Sequence, residues 1–455
     1  IGGIGMCGIA EVMLNQGYHV TGSDVTQGEN IVRLTGLGAR VDIGHSADNI
    51  GDADVVVISS AIDQENPELI QAHRLGIPVV PRAEMLSELM RKKNGIAISG
   101  THGKTTTTSM IASMLDHAGM SPTYVIGGRL LKNDKNASLG DSDYFIAEAD
   151  ESDGSFLLFH PIISVVTNID NDHLSVYHDS MDELVAAFKQ FISDIPFYGC
   201  AVLCAEDKYI VDLLPEIHRR VITYGFGPEA TVYCSEMKQT ENGVEMHVVS
   251  DAYDVDAVIN ISQFGRHNVL NALACICIGL ELDVEFEKID SSLSSFAGIS
   301  RRFNTTEVQM SGKRQVTVID DYGHHPTEMM NVVDTAKSVY AGRRILFVFE
   351  PHRYSRVKSL FDGFVEALFK ADYQLLLPVY AASETETHGV SSLAICDSLR
   401  SLGATDAHTV TDKENLFSIL DRIVKDQDVV LFMGAGSIGR VARDFIVEVG
   451  AGWLV

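Results

Sequence analysis

The sequence predicts an α/β protein of three domains. Its 455 residues exceed one ordinary domain of about 100–200 residues, and 45% of them are hydrophobic, enough for several cores. Short apolar runs that suit buried strands alternate with apolar residues at helical spacing over most of the chain. The composition changes after the segment PVVPR and again within FAGISRR. We therefore expect domains at residues 1–82, 83–298 and 299–455.

Charge and cysteine content limit the class of function. Lys and Arg number 35 against 62 Asp and Glu, and this formal net charge of −27 argues against nucleic acid and anionic membranes as partners. The seven cysteines lack zinc-binding spacing and indicate small core residues in a reducing cytoplasm. No apolar run is long enough to predict a membrane span. An anionic ligand must therefore be bound by glycine loops and a few placed cations.

The segment GTHGKTTTT, at residues 100–108, is typical of a phosphate-binding loop. A strand-like run, GIAIS, precedes it, and apolar residues at helical spacing follow it. Such a turn brings free backbone N–H groups and the positive end of a helix to one place. Lys104 adds a charge for the β- and γ-phosphates, and Thr105 offers a hydroxyl to Mg²⁺. Only two residues separate Gly100 from Gly103, where the common pattern has four, yet the context favours a nucleoside triphosphate site over a plain turn with a surface lysine.

A second glycine motif lies at the start of the chain. Gly3, Gly5 and Gly8 form GxGxxG, a helical pattern follows, and a strand-like run ends at Ser23 and Asp24. An acidic residue at this spacing would bind a ribose hydroxyl in a dinucleotide-binding unit. NAD is the first interpretation from the motif alone, and a UDP-sugar offers the same ribose and diphosphate. The first residue already lies within the motif, so we expect a short preceding segment to be missing.

Two further strand-like runs end in side chains that could bind a cation. YFIAEA delivers Glu148, and IISVVTN is followed by DNDH, which ends in His173. With Thr105 they would converge at one edge of a parallel sheet, where a carboxylate, a hydroxyl and an imidazole suit Mg²⁺ shared with phosphate oxygens. The alternatives are a solvated acidic turn for Glu148 and a structural role for His173.

A helical pattern near the middle of the chain carries two polar residues on one face. His267 and Asn271 are separated by four positions, so their side chains are neighbours on the helix surface. Asn271 could contact an adenine edge. Without other information, a capping or surface role is favoured for it.

The last third of the chain predicts another α/β unit, because strand-like and helical patterns alternate again. Two of its strand-like runs end in polar loops, DDYGHHPTE and EPHRYSR. In the second loop, Arg353 and Arg356 are three apart and can bind a carboxylate or phosphate bidentately. A final GxGxxG at residues 434–439 leaves no room for an acidic ribose partner, so it predicts close packing of a strand against the last helix.

These motifs resemble those of the Mur ligase family. SGTHGKTTT, EADESD, TNIxxDH, GRHNxxNA, RRF, DDYGHHPTE and PHRYxR occur in this order and span nearly the whole chain. Cys7, Gly154 and Glu350 depart from the usual pattern, which has serine, alanine and glutamine there. The resemblance implies an α/β protein with an N-terminal Rossmann-like domain, a central P-loop ATPase with a mostly parallel sheet, and a C-terminal Rossmann-like domain.

The resemblance also implies an activity. It favours the branch of the family that joins L-alanine to the lactyl carboxylate of UDP-N-acetylmuramate, using ATP and Mg²⁺ and passing through an acyl phosphate. Such a ligase works in the cytoplasm in bacterial peptidoglycan biosynthesis, and so serves cell-wall biogenesis, cell shape, cell division and the cell cycle. We expect a monomer or homodimer without nucleic-acid or membrane partners.

Other functions fit the motifs less well. Within the family, the alternative is the recycling branch, which joins a murein tripeptide to the same sugar nucleotide. An NAD-dependent dehydrogenase would leave the phosphate-binding loop unexplained. A non-enzymatic nucleotide switch would have no use for DDYGHHPTE or PHRYSR.

Residue by residue, the resemblance implies four sets of site residues. The predicted ATP contacts are Gly100, Thr101, His102, Gly103, Lys104, Thr105, Thr106, His267, Asn271, Arg302 and Asp321. The predicted substrate contacts are Gly3, Gly5, Met6, Ser23, Asp24, His45, Ser60 and Arg82 for the sugar nucleotide, and Tyr322, His324, His352, Arg353 and Arg356 for the alanine and acyl end. The predicted Mg²⁺ ligands are Thr105, Glu148 and His173. The predicted catalytic residues are Lys104, His324, Arg353 and Arg356, with His324 as the base.

Overall fold

The computed structural model describes residues 1–59, 61–310, 314–382 and 384–450, with side chains through residue 448. The chain divides into two compact units. The first unit contains residues 1–238, 245–262 and 268–297, and the second contains residues 239–244, 263–267 and 298 onward. The predicted limit after residue 82 falls inside the first unit, and the bounds of the three predicted domains stay a prediction.

Short parallel strands and four helices form the beginning of the first unit, with β1 paired to β2 and β3 paired to β4. Their bounds are β1 Thr21–Asp24, β2 Arg40–Ile43, β3 Val56–Ile58, β4 Val79–Pro81, α1 Ile4–Asn15, α2 Glu29–Gly36, α3 Pro67–Leu75 and α4 Arg82–Met90. Helix α1 begins directly after Gly3, so Gly5 and Gly8 lie within it, and the helix starts earlier than its apolar pattern predicts. Gly8 permits close packing there, since a Cβ would be 3.0 Å from Val125 Cγ1.

A ten-stranded sheet follows, in the order β14-β13-β12-β11-β10-β9-β5-β8-β6-β7. Its strands are β5 Asn94–Ser99, β6 Thr123–Val125, β7 Ala137–Ser138, β8 Tyr144–Glu148, β9 Ile163–Val166, β10 Cys200–Cys204, β11 Arg220–Gly225, β12 Val232–Thr240, β13 Gly243–Ser250 and β14 Val255–Ile261. The helices of this region are α5 Lys104–His117, α6 Met181–Ser193, α7 Lys208–Leu213, α8 Arg266–Glu281 and α9 Phe286–Ser294. Strands β6, β8, β5, β9, β10 and β11 run parallel, which confirms a mostly parallel sheet.

Strand β5 lies in the interior of this sheet and positions the phosphate-binding loop. Its residues 96–98 are fully buried, as expected for a continuous apolar run in a strand covered on both faces. Ile98 lies opposite Glu148 of β8, and Ser99 lies opposite Val166 of β9. The carboxyl ends of β8, β5 and β9 are therefore neighbours at one edge, as the sequence predicts.

The second unit contains a six-stranded sheet in the order β15-β16-β20-β17-β18-β19. Its strands are β15 Asn304–Gln309, β16 Gln315–Asp321, β17 Ile345–Phe349, β18 Tyr373–Leu376, β19 Ala407–Thr409 and β20 Val429–Met433. Its helices are α10 Pro326–Val339, α11 Tyr354–Ser359, α12 Phe361–Phe369, α13 Ser392–Ser401, α14 Lys413–Ile423 and α15 Ile438–Gly450. Among the strand pairs of the described residues in this sheet, only β15–β16 is antiparallel.

Both faces of this second sheet are covered by apolar cores. Phe347 and Phe349 of β17 belong to one core, and Leu346 and Val348 belong to the other. A strand buried on both faces needs a continuous apolar run, and this explains the sequence ILFVF. The strands predicted before DDYGHHPTE, before EPHRYSR and before the last glycine motif are confirmed as β16, β17 and β20.

Two expectations from composition concern the cysteines, as core residues, and membrane-spanning helices. All seven cysteines are buried and have free thiols, which confirms them as core residues. Four of them, at positions 200, 204, 275 and 277, lie on β10 and α8. Within the described ranges, no helix combines the length and the apolar character needed to cross a membrane.

Candidate active site

The phosphate-binding loop connects β5 to α5 and depends on two glycines with positive φ. Gly100 has φ +126° and Gly103 has φ +84°, conformations that L side chains rarely adopt. A Cβ at Gly100 would collide with Thr167, and one at Gly103 would lie 2.6 Å from Asn271 Oδ1. Helix α5 begins directly after the loop, at Lys104. The strand–loop–helix arrangement predicted from the sequence is therefore confirmed, and it brings N–H groups and a helix N-terminus to one place.

The chain just after β9 holds the tip of this loop. Asn168 Oδ1 accepts a hydrogen bond from His102 N at 2.8 Å, and Asn168 Nδ2 donates to His102 O at 2.9 Å. Thr167 Oγ1 donates to the same carbonyl at 2.6 Å. Asp170 N donates to Thr101 Oγ1 at 2.8 Å, and the Asp170 carboxylate lies 2.9 Å from His102 Nε2. The loop is thus shaped by the protein itself, through residues that sequence analysis did not select.

Lys104 is partly buried and paired inside the protein. Its Nζ donates to Glu151 Oε2 at 2.7 Å, to Glu151 Oε1 at 3.0 Å and to Gly100 O at 2.7 Å. Burial alone would lower the pKa of Lys104, but the carboxylates of Glu151, Asp150 and Glu148 outweigh it and hold the pKa above its ordinary value. Lys104 is therefore charged, as a phosphate-binding lysine must be. Sequence analysis quoted EADESD but gave Glu151 no role.

The three predicted Mg²⁺ ligands come from neighbouring strand ends. Glu148 ends β8, Thr105 lies in the first turn of α5, and His173 follows β9 with φ +57°. His173 Nε2 lies 3.5 Å from Asp172 Oδ2. Because β8, β5 and β9 are adjacent, these ligands belong to one edge of the sheet. A carboxylate, a hydroxyl and an imidazole beside phosphate oxygens suit Mg²⁺, and their assignment stays a prediction.

Two of the predicted sugar-nucleotide contacts, Ser23 and His45, meet at a third residue, Glu68. Ser23 Oγ donates to Glu68 Oε2 at 2.7 Å and lies 3.0 Å from His45 Nδ1. His45 Nδ1 is 3.6 Å from Glu68 Oε1. Glu68 lies in the first turn of α3, whose start is marked in the sequence by Asn66 and Pro67. Sequence analysis missed Glu68, although that helix-start signal was present.

Asp24 and Arg82 lie against the glycine turn at the start of α1. Asp24 Oδ2 accepts a hydrogen bond from Gly2 N at 2.9 Å. Partial burial acts to raise the pKa of Asp24, but hydrogen bonds from backbone N–H groups hold that pKa below its ordinary value. A Cβ at Gly5 would lie 3.3 Å from Arg82 Cδ, so the arginine side chain covers this turn of the helix. An anionic aspartate and an arginine thus border one glycine turn.

The remaining predicted contacts of the sugar nucleotide differ in exposure. Gly3 precedes the first residue of α1, and Met6 is half-buried in its first turn. Cys7 is fully buried, with its Sγ 3.5 Å from Asn136 Nδ2, so this departure from the family pattern lies in the core. Ser60 lies outside the described residues.

Asn271 is bonded within the protein and is buried, so the surface role favoured from the sequence is wrong. Its Oδ1 accepts from Thr107 Oγ1 at 3.1 Å, and its Nδ2 donates to Asn268 Oδ1 at 3.0 Å. The same Oδ1 faces Gly103. Asn271 therefore joins α8 to the start of α5, and its adenine contact stays a prediction.

His267 is partly buried in the second unit, where Arg302 and Glu328 influence its charge. Burial, helped by the Arg302 guanidinium, lowers the pKa of His267 to about 4, so the imidazole is neutral near pH 7. Arg302 Nη1 lies 3.4 Å from Glu328 Oε1, and Glu328 Oε2 accepts from His324 N at 2.9 Å. Glu328, the last residue of DDYGHHPTE, thus connects Arg302, a predicted ATP contact, to His324 of the same motif.

Both carboxylate oxygens of Asp321 accept hydrogen bonds from backbone N–H groups, one in its own loop and one before β15. Oδ2 accepts from Phe303 N at 2.8 Å, and Oδ1 accepts from Gly323 N at 2.7 Å. Burial raises the pKa of this carboxyl against the opposing effect of the Arg302 guanidinium. These contacts indicate that Asp321 holds the loop in shape, and its contact to ATP stays a prediction.

Four rings form a row beyond β16 and β17. The ring centroids of Tyr322 and His324 are 5.4 Å apart, and those of His324 and His352 are 5.9 Å apart. His352 stacks on Tyr380 with centroids 5.4 Å apart and an interplanar angle of 10°. The structure therefore brings together three residues that were predicted separately for the alanine and acyl end, and it adds Tyr380.

The two arginines of the same region differ in environment. Arg353 is exposed, has φ +66°, and donates its backbone N–H to Tyr380 O at 2.8 Å. Arg356 is 7% exposed and lies within α11. Burial and then the Arg356 and Arg353 charges lower the pKa of His352 to about 4, which places all three close together. A neutral imidazole beside two guanidiniums suits a site for an anionic group.

The last glycine motif packs against Glu350. Glu350 Oε1 accepts from Ser437 Oγ at 2.6 Å, and Oε2 accepts from Ile438 N at 3.0 Å. A Cβ at Gly434 would lie 2.8 Å from Glu350 O, and one at Gly436 would lie 2.8 Å from Tyr380 Cγ. The glycines are closely packed as predicted, but their main partner is the loop after β17 and not a strand against the last helix. The Glu350 carboxylate occupies the N-terminus of α15, the place where a helix would otherwise favour an anion.

Comparisons with known proteins agree with this arrangement. Residues 1–94 match the catalytic domain of the Mur ligase family, residues 98–279 match the Mur ligase middle domain, and residues 301–436 match the glutamate ligase domain of Mur ligases. The chain belongs to the Mur ligase family.

Three individual relatives show how similar the chain is to particular members of the family. Over 446 residues the chain is 46% identical to the UDP-N-acetylmuramate–L-alanine ligase of Hydrogenovibrio crunogenus, covering 98% of this chain and 96% of that one. The solved UDP-N-acetylmuramate–alanine ligase of Thermotoga maritima is 31% identical, with a TM-score of 0.83 over 98% of this chain and 97% of that one. A murein peptide ligase from Psychrobacter arcticus shares the fold at 23% identity, with a TM-score of 0.72 over 99% and 97%.

Proposed function

We propose that this protein joins L-alanine to the lactyl carboxylate of UDP-N-acetylmuramate and converts ATP to ADP and phosphate. The observation that carries the proposal is the partly buried, charged Lys104 in a glycine loop at the N-terminus of α5. The names of the relatives from H. crunogenus and T. maritima support this pair of substrates. The recycling ligase is the second candidate, and the murein peptide ligase named above has the lower identity.

In the first step the sugar carboxylate is activated. A carboxylate oxygen attacks the γ-phosphorus of ATP, the bond to the β,γ-bridging oxygen breaks, and ADP leaves while an acyl phosphate remains. Carboxylate and triphosphate are both anions, so positive charge must be present before they approach. Lys104 supplies a full charge, and the free N–H groups of the loop and of α5 supply partial charges.

In the second step the neutral amine of L-alanine attacks the acyl carbon. A tetrahedral intermediate forms and collapses with loss of phosphate, which leaves the amide. We assign His324 as the base that takes the amine proton. Arg353 and Arg356 bind the alanine carboxylate in this proposal, beside Tyr322 and His352.

Mg²⁺ fits the donor set of Thr105, Glu148 and His173, which these elements bring to one edge of the sheet. When bound, the ion reduces the negative charge on the phosphate oxygens. Thr101, His102 and the glycines of the loop are assigned to the same phosphates.

The remaining assignments complete the proposal. The glycine turn of α1 and the group of Ser23, Asp24, His45 and Arg82 bind the UDP portion. His267, Arg302 and the other predicted ATP residues bind the nucleotide. The three domains at residues 1–82, 83–298 and 299–455, a cytoplasmic location, a monomer or homodimer, and roles in the cell wall, cell shape, division and the cell cycle belong to the same proposal.

Phosphate release tests the function directly. Purified protein is incubated with ATP, Mg²⁺ and UDP-N-acetylmuramate, and either L-alanine or the murein tripeptide is added. We expect release that depends on L-alanine and an amide product detectable by mass spectrometry. Release only with the tripeptide would support the recycling ligase. No release with either amine would contradict both ligase functions. NAD binding would then be tested at the α1 glycines.

A further inference from the structure

The ammonium of Lys104 already has partners without any nucleotide. An ammonium offers three N–H donors, and Lys104 Nζ lies within hydrogen-bond distance of both carboxylate oxygens of Glu151, of Gly100 O and of Thr101 O. The contact to Thr101 O is the longest, at 3.3 Å. A phosphate oxygen that binds this lysine must therefore replace or share one of its present acceptors.

Glu151 is held firmly in place opposite the lysine. The residue is 2% exposed, and Tyr177 Oη donates to its backbone carbonyl at 2.5 Å. Asp150, the preceding residue, accepts from Ser152 N at 3.1 Å, so the local chain is fixed on both sides. A partly buried lysine with no counter-ion would be costly, and this carboxylate removes that cost.

We propose that Glu151 competes with the nucleotide phosphates for Lys104 and thereby sets the affinity of the nucleotide site. Glu151 is a positioning residue that acts through the lysine, and the inference rests on the proposed nucleotide site. The cost of loosening the Lys104–Glu151 pair offsets part of the attraction between Lys104 and phosphate. The lysine also keeps its contacts to Gly100 O and Thr101 O, so removal of the Glu151 charge leaves it oriented toward the loop.

The test is Glu151→Gln, which keeps the shape of the side chain and removes its charge. Binding of ADP and of a non-hydrolysable ATP analogue is measured by isothermal titration calorimetry, and thermal unfolding is measured with and without nucleotide. We expect a Kd about tenfold lower than that of the wild type, since the competing charge is gone, and a lower Tm without nucleotide because the buried lysine has lost its partner. Nucleotide should then raise the Tm of the variant more than that of the wild type.

Asp153→Asn is the matched control. It makes the same charge change in the same acidic segment, but Asp153 is exposed and its carboxylate accepts from Ser155 N at 3.0 Å. Its Kd should equal that of the wild type. An equal gain in affinity in both variants would overturn the inference in favour of a general charge effect.

A merely structural Glu151 would give a lower Tm with an unchanged or higher Kd in Glu151→Gln, and that result would overturn the inference. If Glu151→Gln does not fold, Glu151→Asp replaces it. This variant keeps the charge at a greater distance from Lys104, so its Kd should lie below that of the wild type, and an equal or higher Kd would overturn the inference. Phosphate release that depends on L-alanine with an unchanged Kd in these variants would refute the inference and leave the ligase function standing.

Discussion

Asn271 Oδ1 faces Gly103 so closely that a Cβ at residue 103 would lie only 2.6 Å away from it. The same oxygen accepts from Thr107 Oγ1, one turn into α5. Helix α8 therefore packs directly against the phosphate-binding loop, at a glycine whose φ of +84° already disfavours any side chain. The shape of the loop and the packing of α8 against it thus both depend on Gly103.

Gly103→Ala should weaken nucleotide binding at least tenfold while the rest of the fold persists. A left-handed conformation costs an alanine about 1–2 kcal/mol, and the contact with Asn271 adds to this. Calorimetry with ADP measures the loss, and circular dichroism checks the fold. A double-mutant cycle with Asn271→Ala separates the two causes, since a smaller effect of Gly103→Ala in the Asn271→Ala background than in the wild type identifies the Asn271 contact. Wild-type binding by Gly103→Ala would contradict the prediction.

Asn168→Ala should raise the KM for ATP several-fold and lower kcat. The substitution removes two hydrogen bonds to His102, each worth about 1 kcal/mol, and leaves the loop tip less well fixed. Steady-state kinetics with ATP as the varied substrate measures both constants. Asn168→Asp keeps the acceptor for His102 N and loses the donor to His102 O, so its defect should resemble that of the alanine variant. Unchanged kinetics in both variants would show that the loop holds its shape without Asn168.

Sequence patterns predicted the elements around this loop well, because local rules govern them. The buried runs of β5, β8, β17 and β20 are continuous and apolar, as strands covered on both faces must be. The glycines, Lys104 and Thr105 are contiguous in the chain. Their strand–loop–helix context is therefore visible without a structure.

The partners of these residues were not predictable in the same way. Asn168 and Glu151 contact the loop across 66 and 47 positions of sequence, so no local pattern identifies them. The burial of Asn271 depends on the packing of α8 against α5, and an asparagine on a helix face looks the same in sequence whether it is buried or exposed. Short strands such as β19 carry too few residues for a periodic pattern.

Glu68→Gln should raise the KM for the UDP-sugar with little change in the KM for ATP. Glu68 accepts from Ser23 Oγ and from Asn49 Nδ2, both at 2.7 Å. It therefore joins Ser23, a predicted sugar-nucleotide contact, to the segment around Asn49. A neutral amide keeps one acceptor and loses the charge-assisted bonds, which are worth about 1.5–3 kcal/mol. Kinetics with each substrate varied in turn measures the two constants. An equal rise in both would indicate general destabilisation, and the prediction would then fail.

His267 should make the protein less stable in mild acid. Its pKa in the folded chain is about 4, below the ordinary value of 6.5, because burial and the Arg302 charge disfavour the imidazolium. The unfolded chain therefore binds a proton between these values that the folded chain does not bind. Stability is fully present above pH 6.5 and is lost as the pH falls toward 4, by up to about 3 kcal/mol from this residue.

Urea unfolding of the full chain at several pH values between 4 and 7 measures this effect, and His267→Gln is the matched variant. The variant cannot take up the proton, so its free energy of unfolding should fall less steeply with decreasing pH, by about 1.4 kcal/mol per pH unit. His352, whose pKa is also lowered to about 4, acts in the same direction and remains in the variant, so some pH dependence should persist. Identical slopes for the wild type and His267→Gln would show that His267 titrates alike in the folded and unfolded chains, contrary to its buried position beside Arg302.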